Sequence, residues 1–481
     1  IGGRDLDEYL LGYIQFLDWH PLLPWAMLFR TPATPVVVGG ALDVAGGVFA
    51  WPLMAVLFAG SVVAWAAAAK AFGTRATVFV ALAVLVYPAY GLLFTEISSD
   101  ALFGAAFALW AWLFTRAAAR PSPSRFLLAG LGVALLALVR PGNAVLIVFA
   151  FFPLFLAAAW RTRAKWAGAF LVAALAPLVA WAVLNGVRFG DYTLARGGNA
   201  VIPFYRAFIS DRIVSPDNGP ASRKLADAIQ QHLLTRDPYK AYHVTLDQVF
   251  SSGSFRIHED LYLLSDQVFG WDSNYSILRK AGIEAVKAHP GKYSKGVLST
   301  VWHQLSRSYF RAPPSRPAAA TAQSASARRP TEGEPIPSGQ NLWISRPDNS
   351  IRDVWTSGTR HHFVFSKPSQ RPRFDAIQRE LDSLFRNLPK TTGNDQVRLR
   401  LDQMSRWFPR SILWIALGIA ALLWRRPRGT GILVALAFAA LIVIVFNALG
   451  LFADQRFALP VAPAFVLLGV ASLFAPRKFL R

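Results

Sequence analysis

Nine stretches of the chain are dominated by apolar residues: 51–69, 76–94, 101–115, 126–139, 144–159, 166–184, 411–424, 430–450 and 458–475. Such runs leave no polar face to meet water, so they predict membrane-spanning helices rather than amphipathic surface helices. Several hold only about 14 purely apolar residues, short of the ~20 an α-helix needs to cross ~30 Å of hydrocarbon. They must recruit flanking residues, tilt, or form re-entrant hairpins. The pair 126–139 and 144–159, joined by Arg140-Pro141-Gly142-Asn143, is the best candidate for re-entry. Segment 34–50 is weakly apolar, contains Asp43 and several glycines, and reads as a loop.

Between the sixth and seventh apolar stretches lies a long polar insert. From 185 to 310, stretches such as Ser222–Leu234 and Tyr275–Phe310 have the spacing of amphipathic helices packed at a membrane face. Residues 311–340 are rich in Ala, Pro and Ser and predict an extended or disordered linker. Within 341–408, His361-His362-Phe363-Val364-Phe365 reads as a short β stretch, and 374–389 and 395–408 read as helical. No repeat of fixed period is present. The domain plan is therefore an external first loop (1–50), about six spans (51–184), an external helical region (185–310), the linker, an insert (341–408), and three final spans (409–481).

Charge orients this plan. Five short loops carry Lys70 and Arg75; Arg116, Arg120 and Arg125; Arg161, Arg163 and Lys165; Arg425, Arg426 and Arg428; and Arg477, Lys478 and Arg481. That is fourteen basic residues and no acid, on one face if the spans alternate. Short loops rich in Lys and Arg stay cytoplasmic. The opposite face then holds all 28 carboxylates, including those at helix ends, and is the expected site of chemistry. The chain starts Ile1-Gly2-Gly3-Arg4, which suggests a preceding span or signal sequence. The fold class expected is mainly α: a polytopic transmembrane helical bundle with a large extracytoplasmic insert, in the cytoplasmic (inner) membrane.

Composition narrows the function. Fifty Lys and Arg against 28 Asp and Glu give +22, a balance that would suggest nucleic acid in a soluble protein. At 54% hydrophobic and 16% charged residues, with mean hydropathy +0.34, the excess instead reports membrane orientation. No nucleic-acid partner is expected. The absence of cysteine excludes disulfides, thiolate metal sites and cysteine nucleophiles. His361-His362 and His258-Glu259-Asp260 lack metal-ligand spacing. There is no P-loop, no Gly-x-Gly-x-x-Gly after a strand and no Gly-x-Ser-x-Gly, so nucleotide-driven transport and α/β-hydrolase chemistry lose support.

Three constellations can carry chemistry. In Arg4-Asp5-Leu6-Asp7-Glu8-Tyr9, a carboxylate could act as general base toward a hydroxyl; equally, Asp5 and Glu8 have the spacing of a helix cap. In Phe94-Thr95-Glu96-Ile97-Ser98-Ser99-Asp100, Glu96 and Asp100 either line an outward cavity or, for Asp100, cap the next helix. Arg140 in Leu138-Val139-Arg140-Pro141-Gly142-Asn143, and Arg456 in Asp454-Gln455-Arg456-Phe457, are either interfacial snorkelling arginines or forks for a phosphate.

Further on come Asn185-Gly-Val-Arg-Phe-Gly-Asp-Tyr-Thr-Leu, Ala288-His289-Pro290-Gly291-Lys292-Tyr293, and Arg456-Phe457-x-x-Pro460-Val-x-Pro463. Taken with the acidic start, Tyr87-Pro88, the Thr-Glu-x-x-x-Asp turn and the Leu-Val-Arg-Pro-Gly turn, this order resembles membrane glycosyltransferases of the GT-C superfamily. It resembles especially bacterial enzymes akin to protein O-mannosyltransferases and lipid A aminoarabinose transferases. The resemblance covers about 1–205, 270–300 and 405–475; residues 305–400 match no pattern.

The resemblance implies a GT-C-like bundle that transfers a sugar from a polyprenyl-phosphate donor to a hydroxyl on a lipid, glycan or protein acceptor of the envelope, beside membrane lipids. It implies an Asp in the first external loop as base, often with a Tyr four residues on. Asp5 with Tyr9 fits, and Asp7 competes. Glu8, Tyr9, His20, Glu96, Asp100, Arg140 and Arg456 are then the expected substrate-binding residues. Aminoarabinose members often continue with Lys-Pro-Pro, where this chain has Asp18-Trp19-His20-Pro21-Leu22-Leu23-Pro24. No cofactor is assigned, and a divalent metal ion is left open. The rival readings are a flippase or transporter of lipid-linked glycans, a glycan ligase or polymerase, and a non-catalytic envelope assembly protein.

Overall fold

The structure is a computed structural model that describes residues 6–17, 25–46, 49–236, 239–240, 243–307, 403–425 and 429–476, with isolated residues between 354 and 401 and Pro427. Asp5, His20, the linker 311–340, most of 341–408 and the basic tail Arg477, Lys478 and Arg481 lie outside the described residues, as do the side chains of Asp7 and Glu8.

Helix dominates. Helix α1 (Leu6–Leu17) precedes a membrane-type bundle of α2 (Ala50–Ala69), α3 (Thr74–Leu85), α4 (Ser99–Ala119), α5 (Pro123–Val139) and α6 (Trp160–Phe189). The region between the sixth and seventh apolar stretches contributes α7 (Pro220–Ala228), α8 (Phe255–Phe269), α9 (Ser276–Ala288) and α10 (Pro290–Ser306). The last three apolar helices are α11 (Ser411–Arg425), α12 (Thr430–Gly450) and α13 (Pro463–Phe474). Among the described residues the only strands are Val354–Trp355 and His361–His362, paired antiparallel. Five helices are long and apolar enough to cross a membrane, and the chain is a mainly α polytopic membrane protein.

Two expected spans are reshaped by their sequence. The stretch 76–94 is not one helix: α3 ends at Leu85, and a second short helix runs Pro88–Leu93. Proline has no N–H and disfavours helix in the residue before it, and Tyr87 is extended, with ψ at 95°. The stretch 144–159 is a 3-10 helix, Pro141–Phe155, of 15 residues. At ~2.0 Å rise per residue it reaches about 30 Å, the hydrocarbon thickness, where an α-helix of the same length would fall short. The short-length argument for a re-entrant hairpin therefore does not apply to it. Segment 34–45 departs from the expected loop: Pro35–Gly39 is a π turn running into a short α-helix, Gly40–Ala45.

Helix α4 is the centre of the bundle, with 72% of its most apolar window buried against 17–44% for the other four long helices. It packs on α2 and α5, while α5 lies along α6 and α13 bridges α3, α11 and α12. The α5–α6 contact is close because Gly130 has no side chain, and any Cβ there would meet the Phe170 carbonyl. One continuous apolar core runs from Leu10 and Ile14 of α1 through Trp65, Phe103, Phe107 and Trp110 to Leu436 and Val466.

The region between the sixth and seventh apolar stretches has a core of its own, built from Phe204, Phe208, Leu225, Ile229, Leu261, Tyr275 and Leu278. Within the expected amphipathic stretch Tyr275–Phe310 the described residues form two helices, split at His289 by Pro290 at the first position of α10, while 308–310 lie outside the described residues. The 222–234 stretch is α7 continuing into a π turn, Ile229–Leu233.

Candidate functional site at one end of the bundle

Helix α4 begins with Ser98 as its N-cap, its hydroxyl accepting from the Ala101 amide at 3.5 Å. That leaves the Asp100 carboxylate, in the first turn, to point elsewhere. It accepts from Arg140 Nη2 at 2.5 Å, so Asp100 is an ion-pair partner rather than the cap. Ser99 completes the arrangement, its hydroxyl taking Arg140 Nε at 3.3 Å and Nη2 at 3.0 Å. One turn on from Asp100, the Phe103 ring lies under the guanidinium, 5.5 Å from its centroid. The Arg140 and Asp100 side chains are only 19% and 11% exposed. This is not an arginine snorkelling to headgroups; it is drawn back against α4.

The local sequence explains why Arg140 can turn this way. Its amide is the last to close α5, donating to Leu136 O at 3.0 Å, while its own φ and ψ are extended. Pro141 then starts the 3-10 helix, and the Asn143 side-chain Nδ2 donates back to Leu136 O at 3.1 Å. Gly142 is backed by the Phe446 ring of α12, where a Cβ would sit 3.1 Å from Cε1. The Arg140 turn and the C-terminal end of α12 are thereby neighbours.

Past that end, Asp454 caps a 3-10 turn, Gln455–Phe457, its carboxylate accepting the Arg456 amide at 3.0 Å. The same carboxylate pairs with Arg456 Nε at 3.3 Å, and the guanidinium lies over the Phe457 ring. Each of the two expected phosphate arginines is thus held by a carboxylate of its own. Glu96 is half-buried between Thr95 and Ile97 in the turn before α4.

At the chain start, Tyr9 is 2% exposed and has Arg30 over its ring at 5.2 Å. Tyr13 donates to Asp43 at 2.8 Å, and Gln15 accepts from the Met27 amide at 3.2 Å. Helix α1 begins at Leu6, immediately after Asp5. The Asn185-to-Leu194 motif has a structural role: Asn185 donates to Thr193 O at 2.9 Å, Gly190 closes α6 in a left-handed conformation, and Asp191 pairs with Arg196. Among the described residues no group of three or more His, Asp or Glu could hold a metal ion.

Sequence reading missed a buried ion pair between residues 185 and 310. Arg206 donates from Nε and Nη2 to the two Asp211 oxygens at 2.9 and 3.1 Å. The two residues are five apart, a spacing that no α-helical search pairs, and one π turn brings them together through the Asp211 amide on Arg206 O. Burial pushes the Asp211 carboxyl above its usual range, against the pull of Arg206 and Lys292. Also unread was Glu284, which accepts the Ala221 and Ser222 amides at 2.9 and 2.7 Å and the Ser222 hydroxyl at 2.8 Å. Desolvation acts to raise its carboxyl, yet these bonds, with Lys287, hold it below the usual range.

Neither curated proteins nor solved structures give a match to the chain. Residues 41–183 match the model of a family described as dolichyl-phosphate-mannose-protein mannosyltransferase. The matched segment holds Glu96, Asp100 and Arg140, and over it the chain is similar to membrane glycosyltransferases that use a lipid-linked sugar donor.

Proposed function

We propose that this chain is a GT-C-type glycosyltransferase that moves a sugar from a polyprenyl-phosphate donor to a hydroxyl acceptor on the outer face of the cytoplasmic membrane. The observation that carries the reading is the family match over 41–183, which contains the Asp100–Arg140 pair. Similarity over this segment supports the lipid-linked donor. The orientation rests on the acid-free basic loops, and the polyprenyl carrier and envelope acceptor on the resemblance and motif order.

The donor is already activated at its anomeric carbon, so the protein must supply a base for the acceptor and cations for the departing phosphate. In this reading Asp5 or Asp7 takes the acceptor proton as the acceptor oxygen bonds to the anomeric carbon. The bond from that carbon to the phosphate oxygen breaks, its electron pair stays on the phosphate, and the configuration inverts. Arg140 and Arg456 carry the developing phosphate charge. Arg140 retains capacity for this: among the described residues its Nη1 makes no hydrogen bond, and only Nε and Nη2 are engaged. Asp100 keeps the guanidinium in place, and Glu96, with Glu8, Tyr9 and His20, contributes to sugar and acceptor binding.

The test uses purified full-length protein, radiolabelled polyprenyl-phosphate sugars and a crude envelope acceptor. Wild-type label transfer that is lost in Asp5→Asn or Asp7→Asn supports the proposal and names the base. Equal activity in both variants sinks the base assignment. Movement of the intact lipid across vesicles without label transfer favours a flippase.

A further inference from the structure

We infer that the external helical region positions Arg456 by holding the main chain of the turn that carries it, with Arg206, Tyr293 and Gln304 as positioning residues. The inference rests on the reading of Arg456 as a ligand of the donor phosphate.

The last carbonyls of any helix have no partner within the helix, and at the end of a span there is little water to satisfy them. At the end of α12 the partners come from side chains more than a hundred residues earlier in the chain. Arg206 Nη1 donates to Ala448 O at 2.8 Å and Leu451 O at 3.1 Å. The Tyr293 hydroxyl donates to Leu449 O at 2.6 Å. Gln304 Nε2 donates to Asp454 O at 3.1 Å. Four carbonyls between 448 and 454 are thus taken by three side chains, all from 206–304.

Arg206 is suited to this place for two reasons. Its cation complements the negative end of the α12 dipole, and Asp211 balances its charge, so it can stay buried at 1% exposure. Thr300 of α10 accepts from the same Nη1 at 3.0 Å, and the Tyr293 ring lies 5.8 Å from the guanidinium carbon. Gly296 lets α10 come this close, since a Cβ there would run into the Asp211 carboxylate and the Arg206 guanidinium.

The hold passes to Arg456 through one residue. Asp454, its carbonyl fixed by Gln304, accepts the Arg456 amide on one carboxylate oxygen and forms an ion pair with the Arg456 guanidinium, 3.3 Å from Nε, through the other. A shift of Asp454 therefore moves the guanidinium with it. The helical region 185–310 is then part of the catalytic apparatus without touching substrate.

Tyr293→Phe and Gln304→Met each remove one donor and strand no buried charge, unlike truncation of Arg206. Both are made in full-length protein in lipid nanodiscs, alone and with Arg456→Ala. Hydrogen exchange is followed over 451–458 together with turnover of a radiolabelled polyprenyl-phosphate sugar. Losing one such hydrogen bond should speed exchange of these amides about three- to tenfold and raise KM for the donor by a similar factor. In the Arg456→Ala background neither variant should change turnover further. Unchanged exchange in both variants overturns the structural half of the inference. A full turnover effect that persists without Arg456 overturns the positioning role. Arg456→Ala with wild-type turnover refutes the donor-phosphate reading itself, and the positioning role falls with it.

Discussion

Replacing Asp100 by Asn keeps the shape of the side chain but removes the charge facing Arg140. Two unit charges about 4 Å apart attract by roughly 4 kcal/mol at the effective dielectric of a protein surface, before desolvation is subtracted. With side chains 19% and 11% exposed, the pair lies between a solvated surface pair, worth ~0.2–1 kcal/mol, and a fully buried one, whose breakage costs ~3–5 kcal/mol. A net loss of about 1–3 kcal/mol follows, and Ser99 limits it by keeping two contacts to the guanidinium. At ~2 °C per kcal/mol for a chain of this size, the apparent melting temperature should fall by about 2–6 °C. Unfolding of a polytopic protein is not two-state, so the decisive reading is non-additivity rather than an absolute free energy. Arg140→Gln alone should cost a similar amount, and the double variant should melt no lower than the worse single variant, because it leaves no unpaired charge. Additive shifts, or none, in detergent-matched melts would refute the buried pairing.

Three further outcomes follow from the packing. His258 is enclosed by the rings of Phe204, Tyr205, Phe208 and Tyr262, and burial pushes its pKa from 6.5 down to about 3, against a small opposing pull from the Ala200 main chain. Its neutral form is the folded one, so stability is complete above pH 6.5 and falls as pH drops toward 3, by up to ~1.4 kcal/mol per unit. His258→Phe should flatten melting curves between pH 7 and 4, and an unchanged slope contradicts this. Glu284 has the lowered carboxyl, so its capping contribution is present above pH 4.5 and lost as pH falls through its folded value. Glu284→Gln should cost about 1 kcal/mol at pH 7 and little at low pH, read by proteolysis of the 185–310 region. Gly130→Ala should cost about 1–3 kcal/mol through collision with the Phe170 carbonyl, while Gly168→Ala on α6, with open space around it, should be neutral in the same melts.

How much of this was legible depended on the range of the interaction. Hydropathy is local, so the apolar runs marked the five helices that are long and apolar enough to cross a membrane, and the Pro88 break is written in the residue itself. The 3-10 form of 141–155 and the helix at 35–45 were not readable, since no composition distinguishes a 3-10 run from an α-helix and tertiary packing overrode the weak hydropathy of 34–50. Asp100 and Arg140 were each singled out, yet nothing local says that residues 40 apart will meet. Arg206 and Asp211 were invisible for a sharper reason: only a π turn aligns positions five apart. Arg30, which covers Tyr9, had no motif to mark it.

The central claim is the reaction, and stoichiometry tests it most directly. Purified protein in vesicles is given a polyprenyl-phosphate sugar labelled in the sugar, with an envelope acceptor. Label transferred and polyprenyl phosphate released are then measured in one sample. The account predicts one phosphate released per sugar transferred, an inverted anomeric centre in the product, and loss of both signals in Arg140→Ala. Phosphate release with no labelled acceptor, or label transfer undiminished in Arg140→Ala, would contradict it.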